Sequence, residues 1–148
     1  RLSINRVKSN PMTLDHVAIW TTQLEKLRDF YVKYFNGMAN EKYTNKETGF
    51  ESYFLTFRSG SKLEIMQKPG IPENLNDTVI KQHQGLIHIS FAVDNMDIVT
   101  QKPQEMAKDG FRILRGPRRT GDGYFEFETL DPDNNRIEVS TLFTDKNF

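Results

Sequence analysis

The 148-residue chain has no cysteine, which excludes disulfides, thiolate metal sites and a cysteine nucleophile together. Any metal must be held by nitrogen and oxygen. An excess of charge is missing too: 20 lysines and arginines balance 20 aspartates and glutamates, leaving no basic face for nucleic acid and no acidic tail. No apolar run approaches the roughly 20 residues that span a bilayer, and no basic, apolar, small-residue leader opens the sequence. These absences argue against nucleic acid and membrane as partners and predict a soluble, cytoplasmic protein that handles a small molecule. Histidine is scarce, with only His16, His83 and His88, and Trp20 is the single tryptophan. Residues 1–12 are polar and aperiodic and read as an arm or an appended remnant.

What is present is repetitive. Leu14 to Trp20 reads as a strand, followed by Thr22 and Glu25 as a capping box and by Leu24, Leu27, Tyr31 and Tyr34 at helical steps, with Asn36-Gly37 as the stop. Strands are predicted at 41–44, 52–57 and 62–67, the last two joined by an Arg58–Ser61 turn. Residues 68–85, rich in Pro, Gly, Asn, Asp and Gln, read as a linker. The order then restarts: a strand at 87–93, a helix over 97–108 that Pro103 fits poorly, a stop at Gly110, a short strand at 112–115, and a hairpin of 124–130 with 136–141 around Asp131-Pro-Asp-Asn-Asn135.

Superposing the halves places His16 on His88 (72 residues apart), Gly37 on Gly110 (73), Tyr53-Phe54 on Tyr124-Phe125 (71) and Leu63-Glu64-Ile65 on Ile137-Glu138-Val139 (74). Offsets that drift so little mark an internal duplication. The expected fold is α+β: two paired βαβββ modules, 13–67 and 86–142, forming a curved, partly open sheet around a metal cleft, with the modules burying their concave faces against each other and residues 143–148 as a tail.

Alternation along the strands puts His16 on one face with Ala18 and Trp20, Glu64 with Met66, His88 with Ser90 and Ala92, and Glu138 with Ser140. A lone strand histidine is usually a packed or surface residue, and a lone strand glutamate is usually solvated. Four such residues at equivalent positions of two halves are a different signal. Two imidazoles and two carboxylates suit one divalent ion, zinc, nickel, cobalt or manganese, with one or two positions left for water or substrate. His83 has no repeat counterpart and reads as solvated.

Leu14-Asp-His-Val-Ala18, Phe30-Tyr31 with Tyr34-Phe-Asn-Gly37, Gly85-Leu-Ile-His-Ile-Ser-Phe91 and Asp131-Pro-Asp-Asn-Asn-Arg-Ile-Glu-Val139 resemble the vicinal oxygen chelate superfamily over nearly the whole chain. That group contains glyoxalase I, bleomycin-resistance proteins, acyl-CoA epimerases and extradiol dioxygenases. The resemblance is closest to glyoxalase I and implies His16, Glu64, His88 and Glu138 as ligands, zinc or nickel before cobalt or manganese, and a homodimer. It implies a lyase or isomerase that transfers a proton next to a carbonyl through a metal-stabilised enediolate, with Glu138 as the base and Glu64 as the second candidate. A drug- or metabolite-binding protein of bleomycin-resistance type and an acyl-CoA epimerase-like enzyme are the alternatives. Where glutathione-using relatives carry arginine and asparagine, this chain has Trp20 and Lys68, so a substrate other than the glutathione hemithioacetal is expected. Trp20, Met66, Phe91 and Tyr124 are candidate substrate contacts. Arg118, in a basic, glycine-rich loop over 115–123, is a candidate clamp for an anionic group.

Overall fold

The computed structural model describes residues 12–145, so most of the expected arm and the last three residues of the tail lie outside the described residues. The first module runs β1 (His16–Trp20), α1 (Leu24–Phe35), β2 (Met38–Ala39), β3 (Tyr43–Asn45), β4 (Phe50–Thr56) and β5 (Lys62–Gln67). Its sheet has the order β1-β5-β4-β2, with β3 also on β4. The second runs β6 (His88–Ala92), α2 (Met96–Lys108), β7 (Ile113–Arg119), β8 (Tyr124–Leu130) and β9 (Arg136–Leu142), ordered β6-β9-β8-β7. In both, the first strand lies parallel to the last. The architecture is α+β, two curved sheets each backed by one helix, although residues 68–87 between them carry neither strand nor helix.

Alternation decides what is buried. Leu63 and Ile65 of β5, with Val17 and Ile19 of β1 packed beside them, point to the helical side, as do Ile137 and Val139 of β9 with Ile89 and Phe91 of β6. One apolar cluster joins both modules, with α1 at its centre. Leu24, Leu27, Tyr31 and Tyr34 of α1 are all buried. Phe30 meets Phe111 at 5.0 Å between ring centroids, and Phe35 meets Phe91 at 4.4 Å. The Tyr31 hydroxyl donates to Asp131 Oδ2 at 2.7 Å. The other Asp131 oxygen accepts from the Asp133 and Asn135 amides, which shapes the β8–β9 turn. Burial pushes the Asp131 carboxyl above its ordinary range, against the pull of these bonds.

The expectation that the concave faces bury against each other is therefore corrected. The modules bury their helix-side faces, and the alternate residues of β1 and β6, including both histidines, stay exposed. The capping box does not form: α1 begins without a side-chain cap, Leu24 N–H donates to Gln67 Oε1 from β5, and Glu25 accepts from Tyr53 and pairs with Lys42. Helix α2 runs unbroken through Pro103, which is buried in line with Val99 and Met106, while Asn95 accepts the Ile98 amide as the N-cap. Strand β7 continues past 115 to Arg119, so most of the expected basic loop is strand.

Candidate metal centre

In the first sheet Ala18 stands opposite Glu64, one step along from His16 on the same face. This brings His16 Nε2 to 4.0 Å from Glu64 Oε1. On the other side of the ring, Nδ1 lies 2.8 Å from Asp15 Oδ2. Lys62 and His16, both bonded to Asp15, hold its carboxyl below the ordinary range. With Nδ1 turned to Asp15, Nε2 is the ring nitrogen that faces Glu64.

The second sheet repeats the register: Ser90 stands opposite Glu138, and His88 Nε2 is 3.8 Å from Glu138 Oε2. Ser90 Oγ donates to Glu138 Oε1 at 3.0 Å, fixing the carboxylate plane. Glu128 joins this pair, and one potential ligand atom from each of the three lies within 4.8 Å of the others. Arg136 holds Glu128 at 2.9 Å. Glu126, beneath Arg118 at 3.3 Å, is pushed up to about 7 by burial and by the adjoining Glu138.

The strand registers correct one equivalence. Phe54 faces Glu64 across its hairpin and Glu128 faces Glu138 across the other, so Phe54 superposes on Glu128, 74 residues on, rather than on Phe125. The similarity of Tyr-Phe at 53 and 124 is a coincidence of composition. Counting back from each glutamate across turns of equal length, 57–61 and 131–135, would have found Glu128 and then Glu126. The sequence reading missed both, together with Phe54, whose ring meets His16 edge-on at 5.2 Å.

Trp20 and Met66 lie side by side on the His16 face, with Phe50 at 6.0 Å from the Trp20 ring. Tyr124 lines a cavity of about 530 Å³ with Ala92, Ser140 and Leu142, farther along the His88 face. Arg118 is placed on β7 against Glu126, not in a loop. Phe91 turns the opposite way, into the ring cluster with Phe35 and Phe57, so its position is core rather than cleft. His83 is exposed, as expected.

Among the described residues, His88, Glu128 and Glu138 gather as potential ligands, and neither His16 nor Glu64 gathers with a third. The expected four thus stand as two pairs on two sheets. Each pair offers a borderline divalent ion one imidazole nitrogen and one carboxylate oxygen, with Asp15 holding His16 from behind in the first and Ser90 holding Glu138 in the second. Adjacent zinc ligands stand roughly 3 to 3.5 Å apart, and these pairs are slightly wider than that at 4.0 and 3.8 Å.

A family model described as the glyoxalase/bleomycin resistance protein/dioxygenase superfamily matches residues 13–139. No curated protein matches the chain. Among solved structures, the glyoxylase/bleomycin resistance protein/dioxygenase domain from Frankia sp. EAN1pec has a TM-score of 0.74 at 17% identity, covering 90% of this chain and 100% of that one. A glyoxalase family protein from Enterococcus faecalis gives 0.69 at 20%, covering 87% and 97%. The trypanothione-dependent glyoxalase I of Leishmania major gives 0.67 at 21%, covering 86% and 85%. No helix among the described residues is long and apolar enough to cross a membrane.

Proposed function

Because the chain belongs to the glyoxalase/bleomycin resistance protein/dioxygenase superfamily, we propose that it is a metal-dependent lyase or isomerase that moves a proton next to a carbonyl. The observation that carries this reading is the repetition of one imidazole and one carboxylate in the same register of two sheets. His16, Glu64, His88 and Glu138 are the ligands. A divalent ion held by them, with zinc or nickel the best match and cobalt or manganese next, supplies Lewis-acid stabilisation of negative charge on a substrate oxygen.

The chain's own groups handle the proton. Glu138 takes it from the carbon next to the carbonyl and returns it to the neighbouring carbon, with Glu64 as the second candidate. Ser90 keeps one oxygen of Glu138 bonded, which leaves the other for this exchange. Because one chain holds the ligands as two separate pairs, the working site joins His16 and Glu64 of one copy to His88 and Glu138 of a second in a homodimer. Trp20 and Lys68 replace the arginine and asparagine of glutathione-using relatives, which favours a different small-molecule substrate.

Metal analysis of protein purified without added metal tests the reading. About one equivalent per chain is expected, lost in Glu64→Ala and Glu138→Ala, with proton-transfer turnover on a hemithioacetal of a thiol other than glutathione. Less than about half an equivalent, unchanged in both variants, would replace the enzyme with a metal-free binding protein of bleomycin-resistance type.

A further inference from the structure

The site face of the first sheet does not end at His16 and Glu64. Two residues beyond Ala18, which faces Glu64, and four beyond His16 is Trp20, the chain's only tryptophan and 39% exposed. It meets Phe50 edge-on, and Phe50 in turn meets Tyr43, itself 55% exposed, at 6.1 Å. Immediately after β5, Lys68 lays its ammonium 5.3 Å from the Trp20 ring centroid. Three other lysines of this module have acidic partners: Lys33 pairs with Asp109, Lys42 with Glu25 and Glu51, and Lys62 with Asp15. Lys68 is exposed and makes no ion pair among the described residues.

An aromatic shelf with an unneutralised cation at its rim has a definite complement. An exposed ammonium is held only weakly by an indole, and an arriving carboxylate offers it a charge-assisted hydrogen bond that the ring does not. A ring laid against the shelf adds apolar burial and aromatic pairing. Strands rise about 3.3 Å per residue, which sets the shelf about 7 Å from the row of Ala18 and Glu64, the span of one ring and a short spacer.

We propose that Trp20, Phe50 and Lys68 form the specificity end of the cleft and take a ligand whose aromatic ring lies on the shelf and whose carboxylate pairs with Lys68. The inference deepens the proposed function and rests on that reading for the face substrate uses, but it requires no metal. It assigns the substrate class as an aryl-bearing carboxylate whose reacting carbonyl reaches His16 and Glu64.

Trp20 is its own reporter. Titrating 3-phenylpropionate, its neutral amide and hexanoate into the full chain, with zinc and separately with EDTA, should change Trp20 fluorescence saturably for the aryl acid in both buffers. The amide and hexanoate should bind at least about fivefold more weakly, the loss of one charge-assisted bond or one ring contact. Lys68→Met should bring the aryl acid down to the level of its amide, and Phe50→Ala should weaken both aryl compounds; thermal melts of each variant confirm folding. No saturation up to about 10 mM by fluorescence and by calorimetry, or equal affinity for acid and amide, or indifference to Lys68→Met in a folded variant, would overturn the proposal. Aryl-acid binding that persists without any tightly held metal would remove the proposed reaction and leave this site standing, while metal and turnover without aryl-acid binding would do the reverse.

Discussion

Two residues in one register, Phe54 and Glu128, make the half-sites chemically unequal. His16 is steadied by an aromatic edge and by Asp15, whereas His88 faces the carboxylates of Glu128 and Glu138. A free carboxylate beside a ligand pair is a candidate ligand, but Glu128 is already engaged: Arg136 bonds its Oε2, and the same guanidinium is tied to the Thr78 carbonyl at 2.8 Å. Glu128 therefore acts through charge and through the placement of its neighbours. Glu128→Gln should weaken metal binding by about 10- to 100-fold, the usual cost of losing an outer partner, and Glu138→Gln, which changes a proposed ligand, should cost more than about 100-fold. Competition against a metallochromic chelator measures both. Equal losses would make Glu128 a ligand in its own right. The unequal pair escapes a strand-by-strand reading because Phe-Glu-Phe-Glu over 125–128 looks like an ordinary half-exposed strand, and only counting across the turn from Glu138 brings it out. Only the cross-strand register turns its glutamates toward His88.

At the scale of an element, β7 is the part of the second module most dependent on one backbone position. Its pairing with β8 slips between Arg115 and Arg118, and Gly116 sits in the slip with φ +82°. A Cβ there would lie 2.5 Å from the Glu126 carbonyl oxygen and 3.0 Å from Phe127 Cα, both backbone atoms that cannot move without dislodging β8. Gly116→Ala should therefore destabilise by at least about 2 kcal/mol, lowering the melting temperature by about 5 °C or more. Gly60→Ala is the control, since its φ is +89° but nothing lies within 4 Å. It should cost only about 1 kcal/mol for the left-handed backbone, and equal melting temperatures for the two variants would sink the account. Elements were legible in the sequence where one signal dominated. Leu24, Leu27, Tyr31 and Tyr34 announced α1, and β5 matches its expected bounds. Legibility failed where tertiary partners outbid local rules. Gln67 from β5 took the capping role at α1, apolar packing carried Pro103 inside α2, and the slip at Gly116 extended β7 through residues that read as a loop. For the site, the duplication exposed the two histidines and their glutamates, and the alternation that groups His88 with Ser90 and Ala92 already turns Phe91 to the opposite, buried side.

For the whole molecule, the decisive fact is which faces are buried. With α1 packed between its own sheet and the second module, the helix-side surfaces form one continuous core, and the strands that carry His16 and His88 keep their other faces exposed. A single chain consequently presents two separate pairs, His16 with Glu64 and His88 with Glu138, and under the proposed function each is half of a site. In a two-fold dimer that apposes the first sheet of one copy to the second sheet of the other, both sites are completed, each drawing one pair from each chain. This arrangement makes a prediction that no single-chain site can satisfy. His16→Ala alone and His88→Ala alone should each lose tight metal and turnover, because every site in either homodimer lacks one imidazole. Mixing the two variants and allowing subunits to exchange should restore function in the heterodimer, where one site carries both substitutions and the other carries neither. Random exchange makes half the dimers mixed, each with one intact site of two, so about a quarter of wild-type metal content and activity should return. If the ligand pairs were instead completed within a chain, every site in the mixture would still contain a substitution, and recovery would stay at zero however long the subunits exchanged.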